Sequence, residues 1–392
     1  MNQERIQAAI CNADTDGWLF FDFRKSNSLA YRVLGLSLDG FYTRRWFYYV
    51  PAQGEPTAII SAVEPHVLCE LPGRRLFFRS WGELHHLLEE TLQDVRRVAM
   101  EYSPMNAIPT MAKVDAGTLE LVRSLGKEIV SSANLVQLFV AVLSQAQMEQ
   151  HREAGRRLIA VKDALLRSIA EHLRAGQPLT EYSVQRDFLA RIHAAGVETD
   201  SAPIVAVNAH AGDPHYGPSE SDAAPLREGD LLLLDFWGYL PQSGAIFADY
   251  TWTAFLGARM PEKHQRVFEI VRRARDQGIA FLRERIEQGQ PVQGWEVDQT
   301  VRDLITTAGY GDYFVHRTGH SITTVEHGDG ANLDNLETRD ERLVLPNTCC
   351  SIEPGIYLSE FGIRSEVNVL VLEKSIEVTG VPIQEELIPL LA

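Results

Sequence analysis

Four carboxylates fall inside the most apolar stretches of the C-terminal half, and this constrains the chain more than any other feature. Asp235 closes the run LLLLD, Asp249 lies within AIFADYTWTAF, and Glu353 and Glu366 both belong to SIEPGIYLSEFGIRSEV. An ionised carboxylate in an apolar strand is costly unless it is paired or bound to a metal. Asp235 and Asp249 are 14 positions apart, enough for a strand, a turn around Pro241–Gly244 and a return strand that brings the two together. Glu353 and Glu366 are 13 apart, with a turn near Ser359–Gly362, so a second hairpin can deliver a second pair. Taken singly, each acid reads as a surface or salt-bridged group. Gathered in one place, four like charges must be neutralised. Between the hairpins the Gly-rich segment HRTGHSITTVEHGDG supplies His316, His320 and His327 at steps of four and seven. One imidazole added to four carboxylates makes a hard, oxygen-rich set suited to two divalent ions about 3.5–4 Å apart. By ligand type Mn, Co, Fe and Zn all fit it.

The rest of the chain is that of an ordinary globular protein. With 392 residues, 45% hydrophobic and 23% charged, it has room for about two domains at roughly 150 residues each. A net charge of −16 argues against a nucleic-acid partner. No window approaches the ~18 consecutive apolar residues of a membrane span, and the start MNQERIQAAICNADTDGW has acids where a signal peptide needs a basic then an apolar run. A cytoplasmic protein with no membrane partner is expected. The four cysteines, Cys11, Cys69, Cys349 and Cys350, show no CxxC spacing and read as reduced thiols.

Pattern divides the chain near Ser144. From Trp18 to about Leu143, β-rich runs at Trp46–Val50, Ala58–Ser61, Leu76–Phe78 and Val98–Tyr102 alternate with helical stretches near Trp81–Val95 and Asp115–Leu125. This predicts a small α/β domain over 1–143. A long amphipathic helix follows, with Leu158, Val161, Leu165, Ile169 and Leu173 on one face and Gly176 as its stop. It opens a second domain, 144–392, with further helices at Glu181–Ala195 behind a Thr180 cap, from Pro261, and at Val297–Ala308. Strands are expected at Leu231–Asp235, Ile246–Phe255, Cys349–Glu353 and Ile363–Leu372. The fold class is α+β, with a mixed sheet and helices in the second domain. In the first domain, FYTRRWFYYVP reads in two ways. Arg44, Arg45 and Trp46 present charge and an aromatic face to a substrate or second protomer, or the segment is an edge strand with solvated arginines.

The ordered set Asp235, Asp249, His320, Glu353 and Glu366 also carries a family resemblance. Its contexts are GDLLLLD, the Asp-x-Thr-x-Thr of Asp249, Thr251 and Thr253, then TGHSI, IEPGIY and GIRSE. They resemble the metal signature of the pita-bread metallopeptidases, peptidase family M24, in the branch of Xaa-Pro aminopeptidase and prolidase. The motifs lie within roughly residues 205–370. Residues 1–143 match only in size and α/β layout, which resembles the N-terminal domain of that branch.

The resemblance implies a C-terminal pita-bread fold, two divalent metals with Mn ahead of Co, Zn or Fe, and a homodimer. It implies an enzyme in which a metal-bridging hydroxide attacks the scissile carbonyl, with Glu353 as general base and proton shuttle. His327 matches a histidine that stabilises the oxyanion. His215, in DPHYGP, matches one near the substrate, with His210 close enough to compete. His316 matches a further active-site histidine, and Arg364 an arginine lining the site. The activity implied is that of an Xaa-Pro aminopeptidase or Xaa-Pro dipeptidase acting on a peptide.

Several positions depart from the family pattern. The turn WGYLPQSGA is longer than usual, Trp252 stands where arginine is common, Ser321 replaces a glycine and Gly328 an acid. Pro346-Asn347-Thr348 stands in for Pro-Gly-Met, and GDGANLDN lacks the proline and arginine with which some prolidases hold a dipeptide carboxylate. These changes loosen strict dipeptide specificity. They leave open a small amide or lyase substrate as the alternative, and behind it a non-catalytic binding protein on the same fold.

Overall fold

A computed structural model describes residues 2–392. The chain divides into two compact units, Met1–Val140 and Ala141–Ala392.

The first unit is built on one six-stranded sheet. Its strands are β1 (Gly17–Asp22), β2 (Trp46–Pro51), β3 (Thr57–Ser61), β4 (Arg74–Phe78), β5 (Arg97–Met100) and β6 (Glu128–Ser131), in the order β4-β3-β2-β1-β5-β6. Helices α1 (Gln3–Cys11), α2 (Ser28–Leu34), α3 (Trp81–Thr91), α4 (Ala116–Ser124) and α5 (Ala133–Val140) complete it. The central strands GWLFFD, WFYYVP and TAIIS are largely apolar and buried almost throughout because both faces are covered. Alternation sends Trp18, Phe20, Trp46 and Tyr48 into one cluster and Leu19, Phe21 and Phe47 into another.

Here the structure corrects the edge-strand reading of FYTRRWFYYVP and the aromatic half of the other. β2 is an interior strand, paired to β1 and β3. Trp46 is 1% exposed and stands edge-on to Tyr31, with ring centroids 6.0 Å apart. It therefore fills the core and presents no aromatic face to a substrate or partner. Only Arg44 of the three is exposed, and its backbone N–H is bonded to Glu64.

The second unit opens on α6 (Gln145–Arg174). Its start is a reciprocal cap in which the Ser144 hydroxyl accepts the Gln147 N–H and the Gln147 side chain accepts the Ser144 N–H. Leu158, Val161, Leu165 and Ile169 form its buried stripe. Helices α7 (Glu181–Ala194), α8 (Glu262–Glu287) and α9 (Gly294–Thr307) follow. The strands are β7 (Ile204–Val207), β8 (Leu231–Gly238), β9 (Ala248–Phe255), β10 (Ser321–Ile322), β11 (Thr348–Ile352), β12 (Gly355–Tyr357), β13 (Gly362–Arg364), β14 (Val367–Val371), β15 (Ile376–Thr379) and β16 (Ile388–Pro389). They form two four-stranded sheets, β16-β9-β8-β7 and β10-β11-β14-β15, and the hairpin β12-β13.

One expected strand is split. The run Ile363–Leu372 changes partners midway, with β13 pairing to β12 and β14 to β11 and β15. The junction is Ser365–Glu366, where the Ser365 N–H turns to the Pro354 carbonyl and the Glu366 N–H to the Thr251 carbonyl on β9. Glu353 occupies the matching junction between β11 and β12. Both glutamates thus sit where the chain passes between the larger sheet and the hairpin.

Candidate metal centre

Antiparallel pairing of β8 and β9 sets Asp235 opposite Thr251 and Asp249 opposite Trp237. Opposed residues and every second neighbour share a face, so Asp235, Asp249, Thr251 and Thr253 all point to one side. The second sheet supplies the rest. His320 precedes β10, Glu353 follows β11 and Glu366 precedes β14, on strands that are direct neighbours. His320 Nε2 lies 3.5 Å from Asp249 Oδ2 and 3.4 Å from Glu353 Oε1. Asp249, His320 and Glu366 each bring a ligand atom within 4.8 Å of the others.

The electrostatics of this cluster call for a cation. Asp249 Oδ1 and Glu366 Oε1 are buried with no hydrogen-bond partner, a costly state for anionic oxygens. Burial, then the charges of Glu366 and Asp235, pushes Asp249 well above the usual carboxylate range. Glu366 is pushed the same way by burial, then by Glu353 and Asp235. Burial lowers His320 to about 3, so its ring is neutral. With Nδ1 turned to the Ser321 carbonyl at 3.3 Å, the Nε2 lone pair faces the carboxylates. A neutral imidazole among hard oxygens suits a divalent ion.

Asp235 is held differently. Its Oδ2 is paired with Arg364 Nη2, and the Thr251 hydroxyl lies 2.9 Å from Oδ1. That hydroxyl is also 2.8 Å from Glu366 Oε2 and accepts Arg364 Nε–H at 2.9 Å. Arg364 is 4% exposed. Burial works against its charge, but Asp235 and Tyr357 outweigh that and raise it above the ordinary guanidinium value. Its Nη1 donates to the Tyr357 oxygen at 3.1 Å, and the Tyr357 hydroxyl lies 2.6 Å from His316 Nε2. His316 Nδ1 faces the Arg317 carbonyl at 2.7 Å, and burial, then Arg364, lowers the ring to about 3.

His327 lies over the cluster, edge-on to His320 with centroids 4.3 Å apart. Burial against the cleft wall, then Arg317 and His215, lower it. Its side chain remains 60% exposed. His215 is exposed, and its charge is felt at His327. His210 turns to Glu181 at 2.9 Å and stacks on Tyr216, so its ring does not share the position of His215.

Several neighbours were not singled out from sequence. The Ser351 hydroxyl donates to Glu353 Oε1 at 3.0 Å and accepts the His320 N–H at 2.9 Å. Asp298, fully buried on α9, accepts the N–H and hydroxyl of Thr318, while Arg302 ties the carbonyls of Phe314 and His316. Together they fix the segment that ends at His320. Glu326 is a fifth acid of the site, 3.3 Å from His327 Nε2. Burial, then Asp235, Asp200 and Glu353, pushes it up to about 8. Its signal was present, since the acid missing after His327 has a counterpart just before it. Trp252 points to the opposite face of β9, where the Lys162 ammonium of α6 lies 3.2 Å from its ring centroid. The buried cation at this place comes from the helix rather than the strand.

A sequence model described as metallopeptidase family M24 matches residues 149–373. The chain belongs to this family. The probable dipeptidase PepE of Mycobacterium tuberculosis (strain ATCC 25618 / H37Rv) is 31% identical over 331 residues, covering 83% of this chain and 80% of that protein. An Xaa-Pro dipeptidase of Lactobacillus helveticus is 30% identical over 196 residues, covering 48% and 47%. In structure, the chain resembles dipeptidase PepE from Mycobacterium ulcerans with a TM-score of 0.67 and 23% identity, over 98% of this chain and 96% of that one. This M24 chain is therefore a metallopeptidase with the pita-bread fold and a smaller N-terminal α/β unit. M24 enzymes use divalent metals, and Asp249, His320 and Glu366 form a candidate site for one. Among the described residues no helix is long and apolar enough to cross a membrane.

Proposed function

We propose that this M24 chain is a dinuclear Xaa-Pro peptidase that cleaves the bond before proline, as an aminopeptidase or a dipeptidase. The observation that carries the reading is the pair of orphaned buried oxygens, Asp249 Oδ1 and Glu366 Oε1, beside a neutral His320. Asp235, Asp249, His320, Glu353 and Glu366 would hold two divalent ions, Mn ahead of Co, Zn or Fe. Bound there, the ions would supply Lewis-acid activation of water and of the scissile carbonyl.

The protein's own groups do the rest. Glu353, held by Ser351, takes the proton of the attacking water and passes it to the leaving nitrogen. His327 donates to the carbonyl oxygen as negative charge develops there. His215 and His316 contact the substrate, and Arg364 holds Asp235 in place from the wall of the site. Names of relatives support the peptide substrate, since one is a probable dipeptidase and another an Xaa-Pro dipeptidase. A cytoplasmic homodimer without nucleic-acid or membrane partners belongs to the same reading, in keeping with the net charge of −16.

The second reading, a small amide or lyase substrate at the same centre, is favoured by the lack of proline and arginine in GDGANLDN. One experiment separates them. Metal-stripped protein is given Mn, Co or Zn and tested on Xaa-Pro dipeptides, Xaa-Pro-Yaa tripeptides and non-proline controls, beside Glu353→Gln. Metal-dependent, proline-selective cleavage that the variant loses is the expected result. Bound metal with no peptide turned over would overturn the peptidase reading and leave the second.

A further inference from the structure

Glu181 is fully buried at the start of α7, and its carboxylate gathers donors from a single stretch of chain. Oε1 accepts the Val207 N–H at 2.8 Å and faces His210 Nδ1 at 3.0 Å. Oε2 accepts the Tyr216 hydroxyl at 2.6 Å and the Ala224 N–H at 2.7 Å. Val207 ends β7 and Ala224 closes the following loop, so one side chain binds both ends of 208–223. Tyr216 ties the middle of that loop, next to His215.

Capping does not explain this acid. The first turn of α7 is already closed by Thr180 and Ser183, which satisfy each other's N–H groups. Nor does His215 fix itself, for it is its backbone N–H that bonds to Asp213 Oδ1. The loop meets the site at a second point, where the turn Asn208–Gly212 packs on the β12–β13 hairpin. A Cβ on Gly362 would lie 1.7 Å from the Ala211 carbonyl oxygen. A loop of this length, with one short 3-10 turn at Asn208–Gly212, would sample many conformers if its ends and middle were free.

We infer that Glu181 is a positioning residue, which holds the 208–223 loop in the conformation that sets the place of His215, next to the tethered Tyr216. The inference rests on the substrate-side role proposed for His215. Glu181 touches no reacting atom. It acts by raising the fraction of molecules whose loop is competent, as any group that pre-organises a site does.

The test is a double-mutant cycle on the Mn-loaded full chain, combining Glu181→Gln and Tyr216→Phe with His215→Ala. Amide hydrogen exchange over 208–223 is followed together with kcat/KM on an Xaa-Pro dipeptide. Tyr216→Phe is expected to speed exchange within the loop alone and to lower kcat/KM about 10-fold, the worth of one hydrogen bond to a buried charge. Glu181→Gln should do more, because its amide cannot accept from donors on both sides. In the His215→Ala background neither change should lower kcat/KM further. Unchanged exchange, or an equal loss with His215 already gone, would overturn the inference. If His215→Ala alone leaves kcat/KM at the wild-type level, the role of His215 falls and the inference with it. Exchange still reports whether the clamp exists. Should Glu181→Gln fail to fold, Tyr216→Phe carries the same test.

Discussion

Replacing Glu366 by glutamine should stabilise the metal-free protein while weakening the metal-loaded one. Glu366 is 3% exposed, its Oε1 has no partner, and after burial the carboxylates of Glu353 and Asp235 do most to raise it. An amide of the same shape keeps the contact from the Thr251 hydroxyl at 2.8 Å. It also turns the orphaned corner into a donor facing acceptors. Removing an unsatisfied buried charge is worth about 1–3 kcal/mol. That is a rise in Tm of roughly 2–10 °C for a unit of this size. With Mn the order should reverse. Wild type gains about 2.7 kcal/mol at a free metal concentration 100 times its Kd, and a variant lacking one ligand gains much less.

The pH dependence has a definite sign. The folded value for Glu366 is raised above its ordinary 4.5, so its contribution is fully present below that value and is lost as pH rises through the folded one. The advantage of the variant should therefore grow from about pH 5 upward and be small below it. Thermal unfolding of both proteins, with chelator and with Mn, across that range is the assay. A variant that is less stable than wild type in chelator at alkaline pH would refute the view that these carboxylates repel one another unless a cation joins them.

Three further perturbations follow from the same geometry. Thr251→Val removes the hydroxyl that lies 2.9 Å from Asp235 and 2.8 Å from Glu366. Metal affinity should fall about 10- to 100-fold, and a titration showing wild-type affinity would contradict the supporting role. Gly362→Ala places a Cβ 1.7 Å from the Ala211 oxygen. The hairpin and the 208–212 turn must separate at a cost of about 1–3 kcal/mol, with Tm and kcat/KM falling together, and an unchanged Tm would show that the contact gives way freely. In metal-free protein, Glu326 raised to about 8 contributes stability that is lost between its ordinary 4.5 and that value. Glu326→Gln should flatten the decline of Tm over this interval, and a slope equal to that of wild type would count against the raised value.

The positions of the four acids and the histidine were legible because each lies in a local pattern. A carboxylate within LLLLD or ADYTWT is conspicuous at any distance from its partners. Both hairpins could be anticipated from spacing, and the long helices from their apolar period, since Leu158 through Ile169 repeat at the pitch of an α-helix. Trp46 was misread for a related reason. A strand buried on both faces has no alternation to orient it, and the arginines before it suggested exposure where the sheet order shows an interior strand. The split at Ser365–Glu366 was equally hidden, because an apolar run looks the same whether it keeps one pairing partner or exchanges it for another.

What sequence could not supply is the partner of each group, because partners are far away along the chain. Arg364 reaches Asp235 across 129 positions, Ser351 reaches His320 across 31, and Glu181 reaches Ala224 across 43. In sequence the four carboxylates look equal. In the folded chain they are unequal. Asp235 already has a guanidinium and a hydroxyl, Glu353 has the Ser351 hydroxyl, and Asp249 and Glu366 each keep one buried oxygen without any partner. The unmet demand for positive charge is therefore concentrated on the side of Asp249, His320 and Glu366. Glu366→Gln acts at that point, which is why its effect should change sign with metal, whereas Thr251→Val, on the side already supplied with donors, should only weaken binding.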